Sequence, residues 1–239
     1  MKTCSLLLAA GLLAPVTPTL AAVISDGHQD IRFNYAAATG WSTAVYDHDT
    51  DIAHPPGDVV FDVSSGAELT RPAGSQWDFT GAAAGATIWV LPQVQDTSLP
   101  WLGTSTEQTA AGGAVFVSNN MKLTLTGYSG PGAFSLFTVS PFGVPTALMA
   151  TADGLSDADA INTKANAHAH YNWVFTEPGN YSLILQASGA LVPALGGGLT
   201  SSDPFSVNFT VVPEPGAYAA IFGLLALGAG WLKHRRRRG

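Results

Sequence analysis

Phe205-Ser206-Val207-Asn208-Phe209-Thr210-Val211 alternates apolar and polar side chains without a break. Successive side chains of an extended chain point to opposite faces. One face therefore carries Phe205, Val207, Phe209 and Val211, the signature of a half-buried strand. The pattern recurs outward from there. Lys122 to Thr126 alternates likewise, Gly130-Pro131-Gly132 makes a turn, and Phe134-Ser135-Leu136 resumes it. Val59, Phe61 and Val63 mark another strand, and Tyr181, Leu183 and Leu185 one more. Thr87 to Leu91 has no polar face and reads as a central strand. Gly196-Gly197-Gly198 is a flexible loop before the last strand, which is expected over Ser201 to Val212. Asp153 to Asn166 stays open between a short helix and a loop. Its aspartates miss the EF-hand spacing, because Ile161 stands at a ligand position. Short strands with Gly, Pro, Asn and Asp turns, without repeats or a long linker, predict an all-β, β-sandwich-like single domain over residues 23–211.

The two ends read differently. Residues 212–239 comprise Val212-Pro213-Glu214-Pro215-Gly216, an apolar run from Ala217 to Leu232, and a basic cluster of Lys233, Arg235, Arg236, Arg237 and Arg238. The run of 16 residues is shorter than the roughly 20 that cross a typical bilayer straight. It reads as a single transmembrane helix (217–232), with small-residue surfaces at Gly223, Gly228 and Gly230. The basic tail (233–238) sets the topology: these cations stay on the cytoplasmic side, which places the body on the far side. At the other end, Lys2, the apolar Leu6 to Leu13 and then Thr19-Leu20-Ala21-Ala22 read as a secretory signal peptide over residues 1–22. Signal peptidase is expected to cut after Ala21 or Ala22. Cys4, the one cysteine, leaves with that segment, so the exported body forms no disulfide and depends on packing or bound ions.

Between Val23 and Val212 the chain has four basic residues, Arg32, Arg71, Lys122 and Lys164, against 16 acidic ones, a net of −12. That balance makes nucleic acid and anionic membrane surfaces poor partners. Cations and extracellular polysaccharide fit better, although acidity also serves solubility alone.

The densest chemistry is His168-Ala169-His170-Tyr171-Asn172-Trp173-Val174-Phe175. As one strand it puts Tyr171, Trp173 and Phe175 on a core face, with His168, His170 and Asn172 opposite. Two imidazoles on one strand face, roughly 7 Å apart, can converge on one metal ion. His28 with Asp30, and Asp47-His48-Asp49 with Asp51 and His54 just beyond, supply two further segments. His28, Asp30, His48, His168 and His170 are thus candidate nitrogen and oxygen ligands for zinc or another divalent cation. Solvated histidines on an outward face are the plain alternative.

Catalytic signatures are missing. The chain has no Gly-x-Ser-x-Gly elbow, no His-Glu-x-x-His helix and no phosphate-binding glycine loop, so no catalytic residue is assigned. Asp47, Asp49, Asp51 and Asp58 could supply a glycosidase carboxylate pair only if folding brings two together. Trp41, Trp77, Trp89 and Trp101 fit either a sugar-stacking platform or core packing. Trp89 reads as core and Trp101, after Leu99-Pro100, as the better surface candidate.

The tail around Pro213-Glu214-Pro215 resembles the PEP-CTERM sorting signal of Gram-negative bacteria that make extracellular polysaccharide. That resemblance implies cleavage near these residues by the membrane enzyme exosortase. It also implies an inner-membrane-anchored precursor, then residence at the cell surface or in an extracellular matrix. A plain single-span anchor is the simpler alternative. The body resembles the choice-of-anchor M domain. The residues that carry this are Gly27-His28-x-Asp30-Ile31, Trp89-x-Leu91-Pro92, Leu99-Pro100-Trp101-Leu102-Gly103, and His168-x-His170-x-Asn172-Trp173-x-Phe175-x-x-Pro178-Gly179-x-Tyr181. In that family one extracellular domain is joined to different anchoring tails, and no activity carries over. The expected function is a non-catalytic structural or interaction role at the surface. The alternatives are a divalent-metal-binding module and, third, a carbohydrate-binding or carbohydrate-active domain.

Overall fold

A computed structural model describes residues 21–213. The 1–20 segment, Glu214, Pro215 and the apolar 217–232 run lie outside the described residues. So do the topology-setting cations Lys233, Arg235, Arg236, Arg237 and Arg238. Three sheets carry the described chain. The largest runs β1 (Ala22–Ile24), β5 (Val59–Val63), β17 (Phe205–Val211), β15 (Gly179–Ala190), β9 (Asn120–Ser129) and β12 (Ala160–Lys164), with β16 (Leu199–Ser201) paired to β15. The second runs β11 (Pro145–Ala150), β10 (Phe134–Val139), β14 (Asn172–Phe175), β7 (Thr87–Leu91) and β6 (Glu68–Thr70). The third runs β13 (His168–His170), β8 (Trp101–Ser105), β2 (His28–Ala36), β3 (Gly40–Asp47) and β4 (Ile52–His54).

The fold is all-β and sandwich-like, and the alternation explains why. Val207, Phe209 and Val211 of β17 are buried, as are Val59, Phe61 and Val63 of β5 and Tyr181, Leu183 and Leu185 of β15. These inward rows meet side chains from the other two sheets in one cluster that includes Ile31, Phe33, Leu102, Trp173 and Phe175. Aromatic pairs cross the interface: Phe209 lies 4.9 Å from Phe175 and 5.8 Å from Trp173, ring centre to ring centre. Tyr181 fastens a corner, donating its hydroxyl to the Glu177 carbonyl at 2.6 Å and accepting from the Glu177 N–H at 3.1 Å. This bond to backbone a few residues upstream is a known device of β-sandwiches. β7 lacks a polar face because both its faces are covered. Trp89 and Leu91 enter the main core, while Ile88 and Val90 join a second cluster with Phe137 and Val174, capped by Trp77 and Phe79.

Three local expectations are corrected. Residues 160–164 are neither helix nor loop but the edge strand β12, paired antiparallel to β9 with Ile161 buried. The final strand spans Phe205–Val211 rather than Ser201 to Val212; Ser201 belongs to β16, and Pro204, lacking an N–H, separates the two. Most consequential is the 168–175 segment, which is not one strand. It breaks at Tyr171, so that β13 pairs with β8 in the third sheet and β14 with β10 and β7 in the second.

Candidate metal centre

The third sheet presents the histidines. Within β2, Gln29, Ile31 and Phe33 are buried on the inner side. Alternation then places His28, Asp30 and Arg32 on the outer face. Register does the rest. β8 lies parallel to β2 with Trp101 opposite His28 and Gly103 opposite Asp30. β13 lies antiparallel to β8 with His170 opposite Gly103 and His168 opposite Ser105. On the far flank β3 continues into His48, whose N–H donates to the His28 carbonyl at 3.0 Å.

Four side chains converge. One ligand atom each from His28, Asp30, His168 and His170 lies within 4.8 Å of all the others. Asp30 is the centre. Its Oδ1 is 2.9 Å from His168 Nε2 and 3.8 Å from His28 Nε2, and its Oδ2 is 2.8 Å from His48 Nε2. The imidazoles shut this carboxylate off from solvent completely, though their own side chains remain 21–30% exposed at His28, His48 and His168. A buried carboxylate is costly unless a cation faces it. Among the described residues no lysine or arginine pairs with Asp30; only imidazoles do.

His170 stacks flat on Trp101, with ring centres 3.6 Å apart and planes 7° apart. Both of its ring nitrogens are buried and make no hydrogen bond among the described residues, and the same holds for His28 Nε2. Buried polar atoms are nearly always partnered, and these three nitrogens beside one buried carboxylate have no hydrogen-bond partner among the described residues. Burial pushes the His170 pKa down to about 4, against the pull of Asp30. Burial also lowers that of His28, assisted by His48 and His168 and opposed by Asp30. At neutral pH both rings are therefore neutral with a lone pair to give, as a metal ligand requires.

Gly103 forms the floor. A Cβ there would stand 2.5 Å from Asp30 Oδ1 and 2.8 Å from His170 Cε1, so only glycine leaves the hollow open. The group can hold a divalent metal ion. Tetrahedral bonds near 2.1 Å put ligand atoms about 3.4 Å apart, so pairs as wide as 4.8 Å must close by about 1.4 Å.

Of the five expected ligands, His48 departs. It lies outside the four-membered group, stacks on His28 with ring centres 4.1 Å apart, and holds the far oxygen of Asp30. His54 lies at the end of β4, opposite Val45, and joins nothing here. The Asp47 carboxylate staples its own turn, accepting from the Thr50 hydroxyl and the Asp49 N–H. The four tryptophans do not gather: no ring contact joins any two of them among the described residues. Trp41 packs on Tyr35 and Phe116, and Trp77 on Phe79 and Phe137. Trp101 opens β8 rather than a loop, and its Nε1 donates to the Gln93 carbonyl at 3.0 Å. The roles of Trp101 and Gly103 were not read from sequence. Their Trp-x-Gly spacing matches His-x-Asp, but only the parallel pairing of β2 and β8 reveals that.

No family model, curated protein or solved structure matches the chain.

Proposed function

We propose that this chain is a non-catalytic surface module that holds a zinc ion on one face of an exported β domain. His28, His168, His170 and Asp30 are its ligands, and His48 fixes Asp30 from behind. The observation that carries this reading is the buried Asp30 carboxylate, faced only by imidazoles, two of which offer unpartnered nitrogens. Three imidazole nitrogens and one carboxylate oxygen suit zinc and similar ions rather than calcium or magnesium, which prefer oxygen sets. Four protein ligands favour holding an ion over using it, since catalytic zinc sites keep to three.

Export and anchoring belong to the same reading. The 1–22 segment acts as a signal peptide and the 212–239 tail as an exosortase-processed anchor. Lys233, Arg235, Arg236, Arg237 and Arg238 hold the tail's end in the cytoplasm. The final location is the cell surface or an extracellular polysaccharide matrix. Because β1 starts at Ala22 and pairs with Val59, cleavage after Ala21 preserves the whole strand.

Metal analysis tests the central part. The purified full-length chain in detergent, equilibrated with zinc and dialysed, should retain one zinc per chain. His168→Ala/His170→Ala should retain none, while His54→Ala retains it. No retention by the unaltered chain, or equal retention by the double variant, would refute the reading.

A further inference from the structure

The largest sheet, which carries none of the histidines, has rows of polar side chains on its outer face. Asn162 of β12 lies opposite Lys122 of β9, Lys122 opposite Ser188 of β15, and Ser188 opposite Ser201 of β16. One step along the strands, Lys164 lies opposite Asn120 and Ala190 opposite Leu199. Met121, Leu123, Ile161 and Ala187 alternate with these positions and are buried in the core. The rows therefore face outward. Lys122 and Lys164 are diagonal neighbours on adjacent strands, with backbones roughly 7–8 Å apart.

Both lysines line one hollow of about 450 Å³, together with Asn120, Asn162, Ser188 and Leu199, and no acidic residue lines it. That volume lies in the range of small-molecule sites. The body has 16 acidic residues and four basic ones, yet two of those four share this hollow. Neither forms a salt bridge among the described residues. Uncharged oxygens steady them instead. Lys122 Nζ donates to the Asp157 carbonyl at 2.5 Å, and Lys164 Nζ donates to the Ser118 carbonyl at 3.2 Å and to the Asn120 side-chain oxygen. An ammonium has three donors, so Lys122 keeps two for a ligand and Lys164 one. Cations already held in place cost less entropy to engage.

We propose that this hollow binds a short acidic saccharide. Its acid groups pair with the two ammoniums. Its hydroxyls meet the Asn162 amide and the Ser188 hydroxyl, each of which both donates and accepts. Leu199, 77% exposed at the rim, offers an apolar edge to the C–H face of a sugar ring. The charge of the whole body sets the length. A net of −12 repels a long polyanion, whereas a short segment lying against the lysines is screened from carboxylates more than about 8 Å away at physiological salt. The site goes beyond the zinc reading and does not depend on it, since it lies on a different sheet.

Isothermal titration of the full-length chain in uncharged detergent tests this. The probes are digalacturonate, a sulfated disaccharide, neutral lactose, and glutarate, a dicarboxylate without hydroxyls. An acidic disaccharide should bind, and lactose and glutarate should bind about tenfold more weakly or not at all. Tighter binding of digalacturonate identifies a uronate as the source of the acid group, and the reverse a sulfate ester. Lys122→Gln and Lys164→Gln should each weaken binding about fivefold. Asn162→Asp, which sets a carboxylate opposite Lys122, should weaken it too. Melting temperature and zinc retention should match the unaltered chain in all three variants. No binding of either acidic disaccharide, or unchanged affinity in the three variants, would overturn the site. Glutarate binding as tightly as digalacturonate would overturn the saccharide assignment. Loss of saccharide binding in chelator would place the ligand at the histidines and overturn the hollow, while leaving the zinc reading intact.

Discussion

At the residue scale the centre turns on what Asp30 lacks and what Gly103 omits. His48→Ala should lower zinc affinity by 10–100-fold without abolishing it, because it removes an outer hydrogen bond to a ligand and no ligand atom. Competition with a chelating dye would measure this, and a loss as complete as that of His170→Ala would make His48 a ligand instead. Gly103→Ala should cost about 1–3 kcal/mol through overpacking and lose zinc binding, since the added methyl would meet Asp30 and His170. The acid response of the metal-free chain follows from the two depressed histidines. Their folded-state pKa values lie below the unfolded value of 6.5, that of His170 at about 4. As pH falls, the unfolded chain takes up protons first. Stability is therefore full above pH 6.5 and declines between 6.5 and about 4. Asp47, held below the ordinary carboxylate range by its hydrogen bonds, contributes its loss only at lower pH still. Denaturation midpoints in chelator at pH 7.5 and 4.5 should differ, and the gap should narrow in His28→Ala/His170→Ala. All five candidates were named as residue types and spacings, and four of them, His28, Asp30, His168 and His170, converge in the fold. The special status of His48, the stacking of Trp101 and the floor at Gly103 depend on side-by-side registry between distant strands, which no local pattern encodes.

At the element scale, period-two alternation found the strands whose two faces differ, such as β5, β15 and β17, because one face is buried and the other wet. It failed where that contrast is absent. β12 is a five-residue edge strand preceded by an aspartate-rich turn, so its alternation is too short to stand out. The segment through Tyr171 alternates without interruption, yet the chain changes sheets there. β13 is exposed to half-buried while Trp173, Val174 and Phe175 of β14 are buried, but the alternation of residue types runs on through Tyr171, and hydrogen-bond pairing is what registers the break. That crossing delivers His168 and His170 to the β2–β8 face while Trp173 and Phe175 stay in the core. Tyr181→Phe should destabilise the domain by about 1–2 kcal/mol, since the Glu177 N–H loses its acceptor. Urea denaturation would show it. An unchanged midpoint would mean that this corner does not fasten the β14–β15 connection.

At the scale of the whole molecule, the described domain holds no cysteine and so no disulfide to restrain it. An ion that ties β2 to β13 should therefore be felt globally. Zinc at about 100 times its dissociation constant adds about 2.7 kcal/mol, or roughly 5–10 °C in melting temperature for a chain of this size. His168→Ala/His170→Ala should show no such shift. The export reading predicts a processed protein beginning at Ala22, which terminal sequencing of the membrane and extracellular fractions would detect; a chain retaining Met1 in the cytosol would contradict it. That reading of the two ends rests on linear strings alone and owes nothing to the fold. The His/Asp cluster was legible only as an inventory, because folding must bring residues 28 and 170 together. The most direct measurement is an anomalous difference map at the zinc edge from crystals grown with zinc. The account predicts one peak about 2.0–2.2 Å from the ligand atoms of His28, Asp30, His168 and His170. A map without density among these four side chains, or with zinc bound only at other acidic groups, would contradict it.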